Sequence, residues 1–139
     1  MTDQISNAQK VRNYFHSQYV VQDTPPDVLL GQFMDPDVVI EVEGGEPLYL
    51  PTLLSAIPPI RSIPNEYRQF EIYDEREDGD RVLFRTRLTL RNPKTEKVAV
   101  YEYDQIWRFN AEGRMFHGWQ EAAAGTMGDD FREILIALG

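Results

Sequence analysis

The sequence predicts an α+β domain in which helices pack against a curved antiparallel sheet. Three observations carry this prediction. Apolar residues recur at helical spacing near the start of the chain, alternating patterns fill most of the second half, and three turn signals separate the alternating segments. A length of 139 residues is ordinary for one domain, so residues 1–139 are expected to form a single unit.

The first half of the chain alternates helix and strand signals. Apolar residues at helical spacing between Ile5 and Tyr19 predict a first helix. A second, short helix is expected to begin at Pro25 and Pro26 in the segment DTPPDVLLGQF, because proline suits the first helical turn. The segment DPDVVIEVEGG predicts a strand. The segment LPTLLSAIPP predicts one or two helical turns that its proline pair ends.

The second half of the chain predicts four strands joined by short turns. The segments YRQFEIYDERE, RVLFRTRLTLR, EKVAVYEYDQIWRF and RMFHGWQEAA are separated by DGD, NPKT and NAEG, which are hairpin signals. A four-stranded antiparallel meander follows. A last helix is expected from Gly128, with one apolar stripe over the sheet or the mouth of a pocket: Phe131, Ile134, Leu135 and Leu138.

Residue parity assigns the two faces of this meander, because alternate residues of a strand share a face. In the third strand, aromatic residues share one face with a single amide, Gln105. In the second strand, an apolar face lies opposite a row of arginines. Acidic residues on both neighbouring strands favour cross-strand charge pairing over an anion site for this row, which consists of Arg81, Arg85, Arg87 and Arg91.

The composition argues against several classes of function. A net charge of −9 gives the chain no electrostatic reason to bind nucleic acid or an anionic membrane surface. With no cysteine, thiol nucleophiles and zinc–thiolate sites are absent. The two histidines lack ligand spacing and no phosphate-binding glycine loop is present, so neither a metal nor a cofactor is expected. No signal peptide or membrane-spanning run is seen, and a cytoplasmic protein is expected.

The order of elements resembles the NTF2-like (cystatin-like) α+β cone fold, a curved antiparallel sheet with N-terminal helices on its concave face. VRNYF leads into LLGQFMDPDVVIEVEGGEP as the first helix of that superfamily leads into its strand. WRFNAEGRMFHGW resembles the closing hairpin of the superfamily. The likeness covers Val11 to Ala123 and points to the SnoaL-like and ketosteroid-isomerase-like branches. In SnoaL-like cyclases a histidine directly precedes the hairpin tryptophan; here that position is Gly118.

The resemblance to ketosteroid isomerases implies a set of site residues. Glu41 falls where that family keeps its carboxylate base, and Tyr14 where it keeps its oxyanion-binding tyrosine. Gln105 falls where the family keeps a protonated carboxyl donor. Glu41 is therefore expected to move a proton while Tyr14 and Gln105 donate hydrogen bonds to the substrate oxygen. The expected pocket wall is aromatic: Tyr103, Trp107, Phe109, Phe84 and Trp119.

Two functions remain open from the sequence. If Glu41 faces inward, the chain is a cofactor-free isomerase, cyclase, dehydratase or epoxide-opening enzyme of the SnoaL-like type, acting on an apolar polyketide-, terpenoid- or steroid-like substrate. If Ile40 and Val42 take the inward positions instead, Glu41 faces water. An aromatic pocket alone fits a non-catalytic NTF2-like module that binds a ligand or another protein. The resemblance also implies a homodimer.

Overall fold

A computed structural model describes residues 5–21, 24–124 and 136–137. Its helices are α1 (Asn7–His16), α2 (Pro26–Phe33) and α3 (Leu50–Arg61), and its strands are β1 (Met34–Val42), β2 (Leu48–Tyr49), β3 (Arg68–Asp78), β4 (Arg81–Arg91), β5 (Val98–Phe109) and β6 (Met115–Ala124). The apolar stripe predicted for a C-terminal helix from Gly128 lies outside the described residues.

The described strands form one sheet in the order β2-β1-β6-β5-β4-β3. Strands β3 to β6 are the predicted antiparallel meander, and β1 extends it by pairing in parallel with β6. The two-residue strand β2, which no sequence pattern indicated, pairs antiparallel with β1. Residues of α1, α2 and α3 pack with inward residues of the sheet in one buried cluster. The predicted α+β class, with helices on one face of a curved sheet, is confirmed.

Helix α1 lies across the sheet and continues into a π-helical turn. The side chain of Ser6 accepts a hydrogen bond from the Gln9 N–H and so caps the first turn. Phe15 is buried against the sheet at the end of the helix. The π-helical turn Ser17–Val21 then carries Tyr19, whose ring stacks on Phe70 of β3 with the ring centroids 4.1 Å apart.

Helix α3 continues through the proline pair that was predicted to end it, so that prediction was wrong. The helix spans Leu50–Arg61, with Pro58 and Pro59 in its last turn. Each of the two prolines removes one intrahelical N–H donor, but the φ of proline is helix-compatible, so the last turn can still form. The Ser62 N–H still bonds to the Pro58 carbonyl oxygen at 3.0 Å. The longer helix places Arg61 beside the first helix of the chain.

The meander has an inner face covered by helices and an outer face turned away from them. Registered partners share a face, so Thr86 and Tyr103 lie on the inner face, and Arg85 and Asp104 on the outer face. On β4 and β5, the inner face includes Val82, Phe84, Thr86, Leu88 and Leu90, and Tyr101, Tyr103, Gln105, Trp107 and Phe109. The outer face includes Leu83, Arg85 and Arg87 of β4, Glu102, Asp104 and Ile106 of β5, and His117 and Trp119 of β6. Glu41 of the adjoining strand β1 lies on the same side of the sheet as this outer face.

The charges of the outer face pair across neighbouring strands. Arg85 donates to both carboxylate oxygens of Asp104, at 2.6 and 3.1 Å. Arg87 donates to Glu102 at 2.7 Å and lies 4.0 Å from Glu71 on the other side. The predicted cross-strand charge pairing is confirmed for Arg85 and Arg87, whereas Arg81 pairs with Asp78 at the turn between β3 and β4, and Arg91 pairs with Glu96 in the loop before β5. Because these pairs are partly exposed, they contribute little to stability and leave the inner face as the site of the core.

Candidate ligand-binding cavity

A cavity of about 190 Å³ lies between the inner face and the helices. Its lining joins aromatic rings to hydroxyl and amide groups. None of the described lining residues carries a carboxylate or an imidazole. The lining residues with polar groups come from α1, the π-helical turn, β4, β5 and β6: Tyr14, Tyr19, Thr86, Tyr101, Tyr103, Gln105 and Gln120.

The aromatic wall of the cavity is held by ring-to-ring contacts. Phe15 is its centre, with ring centroids 5.2 Å from Trp107 and 5.1 Å from Phe70. Tyr14 meets Trp107 edge-on at 5.2 Å. Such interlocked rings have few alternative rotamers in a packed interior, so the wall is a preformed, flat-sided surface rather than one that must be assembled on binding.

The hydroxyl groups of Tyr14 and Tyr19 are neutral donors. Burial raises the pKa of both well above the usual range of tyrosine. The neighbouring Tyr19 raises the pKa of Tyr14 further, and Tyr103 does the same for Tyr19. Arg61 opposes the rise at Tyr14, and Arg68 opposes it at Tyr19. Both hydroxyls therefore keep their protons at neutral pH and can donate to a ligand oxygen.

Two guanidinium groups near these tyrosines have no carboxylate partner among the described residues. Arg68, only 9% exposed, donates to the main-chain oxygens of Ile63 and Tyr19. Arg61 donates to the main-chain oxygen of Thr24, and its buried Nε has no described partner. Carbonyl oxygens satisfy such donors without cancelling their charge. We call this the electropositive end of the cavity because the two guanidinium groups act on its tyrosines, although neither guanidinium lines the cavity and the whole chain carries a net charge of −9.

Gln105 is fixed between two inner-face neighbours. The Trp107 Nε1–H donates to Gln105 Oε1 at 3.1 Å, and Gln105 Nε2 donates to Thr86 Oγ1 at 2.9 Å. All three side chains are buried and line the cavity. The amide that interrupts the aromatic row of β5 thus belongs to a hydrogen-bonded chain across two strands.

The structure brings four of the sequence-predicted residues to this cavity. Tyr14 and Gln105 line it together with Tyr103 and Trp107, which were expected in its wall. Their chemical roles stay predictions, since the geometry gives their position and not their part in a reaction.

Glu41 does not reach the cavity, and its expected inward placement is corrected by the structure. Strand β1 buries Val38 and Ile40, so the alternation of the strand turns Glu41 to the outer face. Its side chain is 62% exposed, and its Oε2 lies 2.8 Å from Nε2 of His117. The physical reason is burial: two apolar side chains gain more from the core than a carboxylate without a partner there.

Three residues expected in the pocket wall do not line the cavity. Trp119 lies on the outer face, in register with Ile106 and Glu41, and not in the wall. Phe84 and Phe109 do face inward, but they pack in the buried cluster beside the cavity and are not among its lining residues.

Gly118 occupies the position at which SnoaL-like cyclases have a histidine, so this position contributes no imidazole to the pocket. Its partner in register on β5 is Trp107, so a side chain at this position would point inward. A Cβ placed there would lie 3.1 Å from Cγ1 of Ile40. The space that a histidine would need is thus filled by an apolar side chain of β1.

Several lining and neighbouring residues were missed by the sequence reasoning. Thr86 had a usable signal, because it is the one polar residue in the apolar row of β4. Tyr19 had a weaker signal, its spacing of four residues from Phe15. Arg61 and Arg68 had none, because their carbonyl partners are brought together only by the tertiary fold.

Similar folds occur in solved structures of low sequence identity. IdmH from Streptomyces antibioticus, provisionally assigned as a polyketide cyclase, matches with a TM-score of 0.68 and 15% identity over 96% of this chain and 99% of that chain. A provisionally assigned SnoaL-like polyketide cyclase from Jannaschia sp. matches with a TM-score of 0.66 and 14% identity over 88% and 92%. An NTF2-like protein of unknown function from Burkholderia pseudomallei matches with a TM-score of 0.61 and 16% identity over 96% and 98%.

These likenesses define the class of the molecule: the chain has the NTF2-like fold, and SnoaL-like cyclases are among its structural neighbours. The resemblance predicted from the helix-to-strand segment and the closing hairpin is confirmed at that level. No family model matches the sequence, and no curated protein matches it. A shared fold does not fix a function, so the chemistry must be argued from the cavity.

Two further properties concern the part of the chain that the structure describes. None of its helices is long and apolar enough to span a bilayer. No group of three or more His, Asp or Glu side chains within it is arranged to hold a metal ion.

Proposed function

We propose that the cavity binds a compact apolar molecule that carries a carbonyl, ether or phenol oxygen. The observation that carries the proposal is that neutral hydroxyl and amide groups line an aromatic cavity of about 190 Å³. Sites for drug-sized ligands measure roughly 300–1,000 Å³. The cavity is therefore matched to a bicyclic ligand, such as a small polyketide-like ketone or phenol, rather than to a steroid.

The charge distribution supports an oxygen-bearing ligand. Tyr14 and Tyr19 present neutral donors, and Arg61 and Arg68 near them lack carboxylate partners among the described residues. A partial negative charge on a ligand oxygen is stabilised by both effects. A pure hydrocarbon would gain from the aromatic wall alone.

Turnover of the ligand is a second candidate, favoured by the same electropositive end. Donors aimed at an oxygen that gains negative charge lower the barrier to enolisation, cyclisation or isomerisation. The described lining has no carboxylate or imidazole base, so the reaction that fits best is the aldol cyclisation of a polyketide-like 1,3-dicarbonyl that also carries a distant ketone. Its acidic C–H loses a proton to water, the enolate carbon bonds to the ketone carbon, and the ketone oxygen takes up a proton as it becomes a hydroxyl. The polyketide-cyclase assignments of structural neighbours agree with this class. Dehydratase or epoxide-opening chemistry would need a stronger acid–base pair.

The binding proposal is tested by titration calorimetry with 1-tetralone, a bicyclic ketone, and 2-naphthol, a bicyclic phenol. We expect the wild-type chain to bind at least one of them, and at least one of the Tyr14→Phe and Tyr19→Phe variants to bind it about fivefold more weakly, the value of one hydrogen bond. The matched control is Tyr49→Phe, because Tyr49 is 51% exposed on β2. Failure of both compounds to bind would contradict the proposal.

The turnover candidate is tested separately by incubating the chain with a linear 1-aryl-octane-1,3,7-trione, whose C2 can bond to the C7 carbonyl carbon to close a six-membered ring. The cyclised product is followed by liquid chromatography with mass spectrometry. Faster product formation than in buffer, lost in Tyr19→Phe and kept in Tyr49→Phe, would support it. Binding without any rate increase would leave a ligand-binding NTF2-like module as the function.

A homodimer formed through the outer face is also proposed, as the family resemblance implies. That face holds a depression of about 370 Å³ whose lining includes Leu83, Ile106 and Trp119 beside the Arg85–Asp104 pair. Apolar residues surrounded by charges of both signs suit a self-complementary two-fold contact. Sedimentation at micromolar concentration is expected to give a dimer, and a monomer would contradict this.

The cytoplasmic location stays a prediction of the sequence.

A further inference from the structure

Thr86 is an unusual residue for the inner face of β4. Its neighbours on that face are Val82, Phe84, Leu88 and Leu90, all buried and apolar. Thr86 is itself 3% exposed and lines the cavity. A buried hydroxyl is costly unless it is hydrogen-bonded, so its partners show what the site requires.

The hydrogen bonds around Thr86 have one possible direction. The indole Nε1–H of Trp107 can only donate, so the group that it contacts at 3.1 Å must be the oxygen of the Gln105 amide. This fixes the orientation of the amide, whose nitrogen then faces Thr86 at 2.9 Å. An amide nitrogen also can only donate, so Thr86 Oγ1 is the acceptor of that bond.

The hydroxyl proton of Thr86 is consequently left for another acceptor. A threonine hydroxyl carries one proton in addition to its two acceptor positions. No described residue accepts a hydrogen bond from Thr86 Oγ1. The main-chain carbonyls of β4 are engaged by ladders with β3 on one side and β5 on the other. Because Thr86 lines the cavity, an acceptor atom of a bound ligand can take this proton.

We propose that Thr86 is a specificity-determining residue whose hydroxyl donates to an acceptor oxygen of the ligand, with Trp107 and Gln105 as positioning residues that fix its direction. The proposal rests on the proposed binding function and deepens it. It places the acceptor oxygen of the ligand above β4, at the middle of the inner face. A ligand with a methylene group at this point would leave the buried hydroxyl without an acceptor.

The test compares two molecules that differ in one oxygen, 1-tetralone and its hydrocarbon analogue tetralin. In Thr86→Val, a near-isosteric change, the Kd of 1-tetralone is expected to rise about fivefold while that of tetralin stays the same or falls. Thr86→Ser keeps the hydroxyl and is expected to retain the preference. Thr89→Val is the matched control, since residue 89 lies on the same strand with opposite parity and faces outward.

The positioning role is tested with Trp107→Phe, which keeps an aromatic ring but removes the N–H. The amide of Gln105 is then free to turn its oxygen to Thr86, and the hydroxyl would donate to it instead of the ligand. The Kd of 1-tetralone is expected to rise relative to that of tetralin although Thr86 is intact. Thermal unfolding of each variant shows whether the fold is retained.

Three outcomes are informative. An equal effect of Thr86→Val on both molecules, or no effect on either, would overturn the role of Thr86 while leaving the proposed binding function standing. Binding of neither molecule to the wild-type chain would overturn the binding function and this inference together. A change confined to the ketone would support both.

Discussion

The inner and outer faces of the meander are built from alternate residues of the same strands, yet they differ completely in chemistry. The outer face carries ion pairs such as Arg85–Asp104 and Arg87–Glu102. The inner face carries aromatic rings and the neutral chain from Trp107 through Gln105 to Thr86. The outer face therefore carries formal charges, whereas the polar groups that line the cavity are neutral.

The arginines show the same difference between regions. Arg85 and Arg87 on the outer face are held by carboxylates, which neutralise them. Arg61 and Arg68 bond to uncharged oxygens in the described part of the chain and keep their electrostatic effect on the tyrosines. Glu41, the carboxylate that the family resemblance assigned as a base, lies on the outer face. The polar groups that line the cavity are hydroxyls and amides.

The largest effect is expected from the centre of the aromatic wall. Phe15→Ala removes ring contacts with Phe70 and Trp107, so it should lower the free energy of unfolding by about 3–5 kcal/mol, measured by urea denaturation. Tyr49→Ala on the exposed edge strand should change it by no more than about 0.5 kcal/mol. Similar losses in the two variants would mean that the inner face is not the core.

A smaller effect is expected at alkaline pH. The folded-state pKa values of Tyr14 and Tyr19 are raised by burial, whereas in the unfolded chain both ionise near pH 10, at about the usual value. The folded state thus holds protons that the unfolded state releases, so this contribution to stability is complete below about pH 10 and is lost as the pH rises further.

The measurement for this effect is thermal unfolding between about pH 8 and 11, a range that brackets the ordinary tyrosine pKa. Replacing both tyrosines by phenylalanine should flatten the alkaline decline relative to the wild-type chain. Tyr49→Phe, at an exposed site, should leave the decline as it is. An equally steep decline in the double variant would show that the two hydroxyls ionise normally in the fold.

The smallest effect is expected at Glu41. Its contact with His117 is exposed, so Glu41→Gln should alter the free energy of unfolding by at most about 1 kcal/mol and leave the Kd of a cavity ligand unchanged. If Glu41 were the proton-transferring base that the family resemblance implies, Glu41→Gln would also cut turnover about a hundredfold or more. A tenfold or greater loss of turnover in Glu41→Gln would restore the carboxylate to a catalytic role.

The sequence was sufficient for the fold and for half of the site. Turn signals and parity predicted the meander and its faces, because both depend on neighbours in sequence. Parity alone could not decide which side of β1 faces inward. The side with Ile40 and its neighbouring valines fitted a core, and the side with the glutamates fitted a polar pocket. That choice came from packing against helices elsewhere in the chain. The roles of Arg61 and Arg68 depend on carbonyl groups distant in sequence, for which no local pattern exists.

The two tryptophans allow the most direct test of the central claim, that ligands bind at the inner face through neutral donors. Trp107 lies in the cavity wall with its N–H bonded to Gln105, and Trp119 lies on the outer face beside Glu41. In a ¹H–¹⁵N spectrum, each indole N–H gives its own signal, assigned by the two Trp→Phe variants. On titration with 1-tetralone, the Trp107 signal should shift and the Trp119 signal should stay in place. A shift of the Trp119 signal alone would contradict the account and locate binding on the charged outer face.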